Sequence, residues 1–259
     1  MEDYSVTINK EEIKKHIRLN YGKIASQGVQ GCGACCSSNE YQKTDLFDIV
    51  KTSNQLGYTS NDLVGMPENA NMGLGCGNPV AIASIKKGET VLDLGSGGGF
   101  DCFLARKQTG ESGFIIGVDM TPEMIELSTR NAEQLGYTNI EFRLGDIEDL
   151  PIEDASIDVI ISNCVINLSQ DKGKVFKEAY RVLRKGGRLS ITDVLATAEL
   201  PDNIKNDLSM ISGCISGAEY TQTVFNMLKQ SGFDDIRMIP KDNSKEILRS
   251  WKPGKHIED

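Results

Sequence analysis

The sequence predicts a doubly wound, mainly parallel α/β sheet preceded by an N-terminal extension of helix and loops. Three observations predict this fold. Short apolar strands alternate with helices after residue 80, a glycine-rich turn joins the first of these strands to a helix, and 259 residues suffice for one large domain. Strands are expected at 90–94, 114–118, 140–144, 157–162, 188–194 and 235–239. Helices are expected at 100–108, 121–135, 172–183 and 221–230, with a turn at Gly186-Gly187.

The chain divides into three predicted parts. Residues 1–78 are expected to form the extension, which holds an amphipathic helix from 9 to about 25, Gly- and Cys-rich loops, and a short helix within 44–65. Residues 79–240 are expected to form the sheet domain, in which segment 195–220 contributes to substrate binding. Residues 241–259 are expected to be a short tail.

Composition excludes several classes of partner. There are 28 Lys and Arg against 37 Asp and Glu, and the net charge of −9 disfavours binding to nucleic acid or to an anionic membrane. No segment approaches the roughly 18 apolar residues of a spanning helix, and the charged first residues lack the apolar core of a signal peptide. We therefore expect a soluble, cytoplasmic protein with no nucleic-acid or membrane partner.

The glycine-rich turn Asp93-Leu-Gly-Ser-Gly-Gly-Gly99 is typical of a nucleotide-binding loop. Glycines at this point let the backbone approach a ligand at a helix N-terminus. Asp119 ends the second strand, where an acid accepts hydrogen bonds from ribose hydroxyls, and Asp146 follows the third strand, where an adenine edge could be read. A tight structural turn remains an alternative, and an NAD enzyme would be expected to show the spacing Gly-x-Gly-x-x-Gly.

The string V-L-D-L-G-S-G-G-G resembles the first motif of class I S-adenosylmethionine methyltransferases. The resemblance covers about 79–239 and implies a Rossmann-like sheet of the seven-stranded type with S-adenosylmethionine as cofactor. In that family the first motif binds the methionine part, the acid after the second strand binds ribose, and an Asp-Ile pair binds adenine. The implied cofactor residues here are Asp93, Gly95, Ser96, Gly97, Gly99, Asp119, Met120, Asp146, Ile147 and Asn163.

Seven cysteines and only two histidines direct attention to thiol chemistry. The odd cysteine count disfavours a disulfide scaffold, and the two histidines lie near opposite ends of the sequence. Cys76 lies in a glycine-rich stretch, Cys164 ends the fourth predicted strand, and Cys214 follows the fifth. Each could be a small buried apolar residue, and this interpretation is strongest for Cys102, which lies on the helix after the glycine loop.

The sequences around these cysteines resemble those of the arsenite methyltransferases. The matching strings are G-L-G-C-G-N-P, S-N-C-V-I-N-L and G-C-I-S-G-A, together with Asp171-Lys172, Glu178-Ala-Tyr-Arg-Val-Leu183 and Asp193. The resemblance implies that Cys76, Cys164 and Cys214 bind trivalent arsenic as thiolates, with arsenite or methylarsenite as substrate. Soft thiolates suit a soft metalloid, and positioning would then account for much of the rate acceleration.

Cys32, Cys35 and Cys36 form the string C-G-A-C-C in the N-terminal loop. The resemblance implies that one of them relays electrons, with a thiol reductant such as glutathione or a thioredoxin-like partner. Hand-over of arsenic to the site, a zinc site and an inert loop are the alternatives, although zinc would need two further ligands. Two other functions also remain open: a methyltransferase of a small organic acceptor such as a quinone precursor, and a non-catalytic thiol protein that binds soft metals.

Overall fold

The computed structural model describes residues 9–27, 46–197 and 217–241. Five strands form one sheet in the order β3-β2-β1-β4-β5, and each neighbouring pair is parallel. The strands are β1 Thr90–Leu94, β2 Phe114–Asp119, β3 Ile140–Leu144, β4 Ile157–Asn163 and β5 Leu183–Thr192. The doubly wound parallel fold is confirmed, with five strands among the described residues instead of seven.

Helices precede the sheet and connect its strands. In chain order they are α1 Lys10–Gln27, α2 Leu46–Gln55, α3 Ser60–Leu63, α4 Pro79–Ile82, α5 Phe100–Thr109, α6 Pro122–Gln134, α7 Lys172–Val182 and α8 Thr221–Ser231. A 3₁₀ turn, Ile166–Leu168, follows β4. The predicted helices therefore appear close to their predicted bounds. Among the helices that the structure describes, none is both long and apolar enough to cross a membrane.

Two local predictions are wrong. The predicted turn at Gly186-Gly187 is part of β5, which begins at Leu183, directly after α7. Gly186 adopts a positive φ of 81° at an irregularity in the pairing of β4 with β5, so the glycines form a bulge inside the strand. The segment 235–239 is not a strand, because Asp235 adopts a φ of 49° and interrupts the extended backbone.

The sheet is buried on both faces by helices. This packing holds the strands, and therefore their carboxyl ends, in place. Leu92 of β1 packs with Phe176 of α7 on one face, whereas Val91 packs with Phe103 of α5 on the other. Because side chains alternate along a strand, each strand contributes to both layers. The carboxyl ends of β1 and β4 lie side by side, at the point where the strand order reverses and a crevice opens.

Replacing Ile160 by Ala tests the importance of this core. Ile160 lies in β4 and is fully buried, so we expect Ile160→Ala to lower the free energy of unfolding by about 2–5 kcal/mol. The matched control is Ile239→Ala, since Ile239 is 83% exposed and its truncation should change stability by less than about 0.5 kcal/mol. Urea unfolding monitored by circular dichroism measures both; equal losses would contradict the described packing.

Candidate functional site

A cleft lies at the carboxyl ends of β1 and β4 and is bordered by α1. Among the predicted cofactor residues, all except Gly99 line it. The lining residues from that set are Asp93, Gly95, Ser96, Gly97, Asp119, Met120, Asp146, Ile147 and Asn163, and Cys164 lines the same cleft. The structure therefore brings the glycine loop and one of the predicted thiols to a single cavity.

The glycine loop is shaped by its contacts with neighbouring strands. Gly95 has a φ of 72°, and a side chain there would collide with Val165. The Gly97 backbone N–H donates to Asp119 Oδ2 at 3.0 Å, so the acid at the end of β2 holds the loop in place. Gly99 does not line the cleft; a Cβ atom there would lie 2.7 Å from Phe103, so it permits close packing of α5.

Two buried carboxyl groups, Asp93 and Asp101, and one half-buried carboxyl group, Asp119, lie beneath and beside this loop. Burial raises the pKa of Asp93 well above its usual value, and it raises the pKa of Asp119 as well. Burial also raises the pKa of Asp101 to about 6, although hydrogen bonds from Asn163 and Tyr58 favour the ionised form. Carboxyl groups at the base of the cleft disfavour an anionic ligand and favour a cationic one.

Asp146, predicted to bind adenine, is already engaged by α1. Lys14 Nζ lies 2.7 Å from Asp146 Oδ2 and 2.9 Å from Glu148 Oε2. Burial opposes ionisation of Asp146, but the hydrogen bonds from Lys14 and the Glu148 N–H, together with the charges of Lys14 and Arg18, outweigh it, so the pKa of Asp146 is lowered. Ile13 and Ile17 of the same helix pack against Leu168, so α1 covers this end of the cleft.

Two of the predicted thiols converge beside the cleft, together with a carboxylate. The sulfur atoms of Cys76 and Cys164 and a carboxylate oxygen of Asp193 all lie within 4.8 Å of one another. Cys76 Sγ donates to the Thr192 carbonyl at 3.3 Å, and the Cys164 N–H donates to the same carbonyl at 2.9 Å. Cys164 adopts a φ of 59°, which is uncommon for a residue other than glycine.

Charged groups surround this pair of thiols. Burial raises the pKa of Asp193 to about 6, although backbone N–H groups of Val194 and Asn167 stabilise its ionised form. Lys241 Nζ donates to the Cys76 carbonyl at 2.6 Å. Burial lowers the pKa of Lys241, and the charges of Cys76 and Cys164 oppose that shift.

Asn163 fixes the loop that carries Cys76. Its Oδ1 atom accepts hydrogen bonds from the N–H groups of Cys76 and Gly77 at 3.0 and 3.3 Å, and from Thr192 Oγ1 at 3.0 Å. The loop can approach because Gly75 has no side chain; a Cβ atom there would meet the Asn163 amide at 2.5 Å. Asn163 was expected to bind the cofactor, but its acceptor atom is occupied within the protein.

The donor side of the Asn163 amide joins a buried polar network. Its Nδ2 atom donates to Tyr58 Oη at 2.9 Å, to the Gly77 carbonyl at 2.9 Å and to Asp101 Oδ2 at 3.0 Å. Tyr58 in turn donates to Asp101 Oδ1 at 2.7 Å. One side chain at the end of β4 therefore links the thiol loop to the helix that follows the glycine loop.

The remaining cysteines differ in what can be said of them. Cys102 is fully buried and its sulfur donates to Asp93 Oδ2 at 3.3 Å, which agrees with the packing interpretation. Cys32, Cys35, Cys36 and Cys214 lie outside the described residues.

Sequence reasoning missed Lys14, Tyr58, Asp101 and Lys241 as parts of the site, and it named Asp193 only within a matching string. Asp193 directly follows β5, as Cys164 directly follows β4, and it was missed because the predicted fifth strand ran to residue 194. Lys14 and Lys241 carry no such signal, because only tertiary packing brings them to the cleft.

The sheet is doubly wound, and its cleft lies where the strand order reverses, between a glycine loop and an acid at the end of β2. These features define a nucleotide-cofactor-binding α/β protein. The family model for the methyltransferase domain matches residues 85–234, more than half of the chain, and the chain belongs to that family.

Comparison with curated proteins gives a more specific similarity, to arsenite methyltransferases. The chain is 44% identical over 257 residues to an arsenite methyltransferase of Halobacterium salinarum, covering 95% of this chain and 64% of that protein. It is 37% identical over 172 residues to the human arsenite methyltransferase, covering 61% of this chain and 46% of the relative. The chain thus spans less than two thirds of the length of these curated relatives.

A solved structure gives the same similarity. The crystal structure of an arsenic(III) S-adenosylmethionine methyltransferase from Chlamydomonas reinhardtii superposes with a TM-score of 0.58 at 37% identity, covering 71% of this chain and 62% of that one.

Removing the Asn163 amide tests its role in fixing the thiol loop. We expect Asn163→Ala to speed hydrogen exchange at the Cys76 and Gly77 amides and to lower stability by about 2–4 kcal/mol, because buried partners lose their hydrogen bonds. Asn139→Ala is the matched control, because the Asn139 side-chain amide also bridges loops, at Gly110 and Gly113, but lies just before β3. Exchange at the Cys76 and Gly77 amides should be unchanged in this control. Unchanged exchange at Cys76 in Asn163→Ala would contradict this role.

Proposed function

We propose that this chain binds S-adenosylmethionine in the cleft and methylates trivalent arsenic held by cysteine thiolates. The observation that carries the proposal is the convergence of the Cys76 and Cys164 sulfurs within 4.8 Å of each other, beside the cavity that holds the glycine loop. Two thiols near a cofactor cleft suit a soft, thiophilic substrate.

The residues of the cleft fit S-adenosylmethionine better than a dinucleotide. Ser96 Oγ is buried in the cleft wall with no hydrogen-bond partner among the described residues, so a bound ligand could satisfy it. Among the described lining residues Lys14 is the one lysine or arginine, and it is paired with two acids, so a pyrophosphate would find no counter-charge. S-adenosylmethionine, when bound, supplies an electrophilic methyl group on a positively charged sulfonium.

Each acidic side chain has a proposed part in holding this cofactor. The buried carboxyl groups of Asp93 and Asp101 would face its positive charge, and Asp119 would accept hydrogen bonds from the ribose while it retains the Gly97 N–H. Asp146 would bind the adenine end together with Ile147, either beside Lys14 or in exchange for it.

We propose that Cys214 supplies the third thiolate. Its position lies outside the described residues, but Gly217, three residues later, packs directly against the Asn167 carbonyl. Asn167 in turn donates to Asp193 at 2.8 Å, and three residues span at most about 11 Å. Three thiolates on arsenic leave its lone pair available, so the chain acts by positioning and needs no histidine base.

The names of the relatives support this substrate. The archaeal, human and algal relatives are named for arsenite or arsenic(III) methylation. A plant relative named for methylation of a phytylnaphthoquinone is 32% identical over 155 residues, so an organic acceptor is the competing proposal. The paired thiols beside the cleft favour arsenic over a quinone precursor.

The N-terminal cysteines have a separate proposed role. We propose that one of Cys32, Cys35 and Cys36 returns the site to its reduced state by thiol–disulfide exchange, with glutathione or a thioredoxin-like protein as the final reductant. None of the three is required as a ligand for the first methyl transfer.

Replacing Asp119 tests the cofactor assignment. Asp119→Ala removes the proposed ribose acceptor and should weaken S-adenosylmethionine binding by about 1.5–3 kcal/mol, the range for charge-assisted hydrogen bonds. The control is Asp149→Ala, an exposed acid nearby that does not line the cleft, which should bind as the wild type does. Calorimetric titration measures both affinities, and wild-type affinity in Asp119→Ala would exclude the assignment.

Serine substitutions test the arsenic site. Cys76→Ser and Cys164→Ser should each weaken arsenite binding by about 100-fold or more and abolish methylated product, because hydroxyl groups are poor ligands for a soft metalloid.

Cys102→Ser is the matched control: serine can still donate to Asp93, and both binding and turnover should persist. Equilibrium dialysis with elemental analysis measures binding, and chromatography of arsenic species measures product. If Cys164→Ser methylated arsenite at the wild-type rate, the organic-acceptor proposal would replace this one.

A further inference from the structure

We propose that Cys76, Cys164 and Asp193 form a binding site for Zn²⁺, a borderline-soft divalent cation, and that zinc competes there with the arsenical substrate. The competition, but not the zinc site, rests on the proposed function. In the described part of the chain these three side chains are the one group of metal-ligating residues whose donor atoms all lie within 4.8 Å of one another.

The donor set suits zinc better than other common cations. Zinc is bound in proteins by Cys sulfur and by carboxylate oxygen, whereas calcium and magnesium prefer oxygen ligands alone. Tetrahedral zinc with bonds of about 2.3 Å to sulfur and about 2.1 Å to oxygen needs donor separations of roughly 3.5–3.8 Å. The donors are therefore within about one ångström of a chelating arrangement, a distance that side-chain rotation covers.

Two of the proposed ligands, Asp193 and Cys76, are already held by hydrogen-bonded neighbours. The Asp193 carboxylate accepts from Asn167 Nδ2 at 2.8 Å and from the Val194 N–H at 2.8 Å. The Cys76 backbone is fixed by Asn163 Oδ1 at 3.0 Å. Neighbours that orient ligands in this way raise metal affinity, because little ordering remains to be done on binding.

Charge also balances around a bound divalent cation. Two thiolates and a carboxylate carry three negative charges and zinc carries two positive ones. Lys241, whose Nζ donates to the Cys76 carbonyl at 2.6 Å, supplies a further positive charge beside the site. Cys164 lines the cleft, so a water molecule from the cleft would complete the coordination. Zinc binding would release the thiol protons to solvent.

Arsenic and zinc would differ in the third protein side chain that binds them. Arsenic is proposed to use Cys214, a soft thiolate, whereas zinc would use Asp193, a harder oxygen ligand. Both would need Cys76 and Cys164, so they exclude each other. Substitution of the third donor should therefore separate the two affinities.

The experiment uses the full chain with Cys32, Cys35 and Cys36 replaced by Ser, so that the N-terminal cysteines cannot bind metal. Cobalt(II) serves as a spectroscopic probe and zinc as its competitor. We expect one equivalent of cobalt to give sulfur-to-cobalt charge-transfer absorption with the intensity of two thiolates, and zinc to displace it. Cobalt absorption that is absent, or that has the intensity of three thiolates, would overturn the proposal.

Variants then assign the ligands. Asp193→Asn should weaken zinc binding by about tenfold or more and leave arsenite affinity within about twofold, whereas Cys214→Ser should do the reverse. Cys164→Ser should abolish zinc binding, and Cys102→Ser should leave it unchanged.

Two further results separate the possible failures. Zinc affinity equal to wild type in Asp193→Asn, checked for folding by circular dichroism, would overturn the proposal. If zinc binds as expected and wild-type protein binds no arsenite, the zinc site stands and the proposed function fails.

Discussion

The site depends on the amide of Asn163 at the end of β4. All its hydrogen-bonding capacity is used within the protein: the oxygen holds the Cys76 loop and Thr192, and the nitrogen contacts Tyr58, Gly77 and Asp101. Cys164 is the next residue along the chain, so its thiol is positioned by the same backbone as Asn163. The thiol of Cys76 is positioned by the hydrogen bonds that hold its loop to the Asn163 amide. The separation of the two sulfurs is thus set by a rigid central strand.

Helix α1 contributes charge as well as apolar surface to the cleft. Lys14 lies between Asp146 and Glu148, and Ile13 and Ile17 pack against Leu168. Without that lysine this end of the cleft would hold two acids with no counter-charge, which repel each other in a partly buried setting. Helix α1 is therefore part of the cleft, although it precedes the sheet by more than 60 residues.

Sequence patterns predicted β1 and β3 well because β1 is a short, mostly apolar run and β3 alternates apolar with charged residues. β1 and β3 have their predicted bounds, whereas the glycine pair in β5 was taken for a turn because a bulge and a turn use the same residue type. Among the described thiols, Cys76 and Cys164 were found through the strings around them. The cofactor role expected for Asn163, the division of the chain at residue 78 and the role of Cys214 stay predictions.

The parts of the site that could not be predicted are contacts between distant segments. Asp101 and Tyr58 are 43 residues apart, and Lys14 and Asp146 are 132 residues apart. No periodic pattern in the sequence indicates that either pair is in contact. Asp193 is different, because the carboxyl end of a parallel strand is a position where polar side chains regularly meet a ligand. That rule was applied to β2, β3 and β4, but at β5 the predicted strand ran to residue 194 and so included Asp193, which follows the observed strand.

The backbone at Cys164 narrows the substitutions that this site can accept over evolutionary time. Its φ of 59° is tolerated by glycine and asparagine and is strongly disfavoured for β-branched residues. Gly or Asn at this position would keep the backbone unstrained, whereas Val or Thr would distort the junction of β4 with the 3₁₀ turn. If the proposed thiol chemistry were lost in a homologue, the backbone would therefore favour Gly or Asn as the replacement for Cys164.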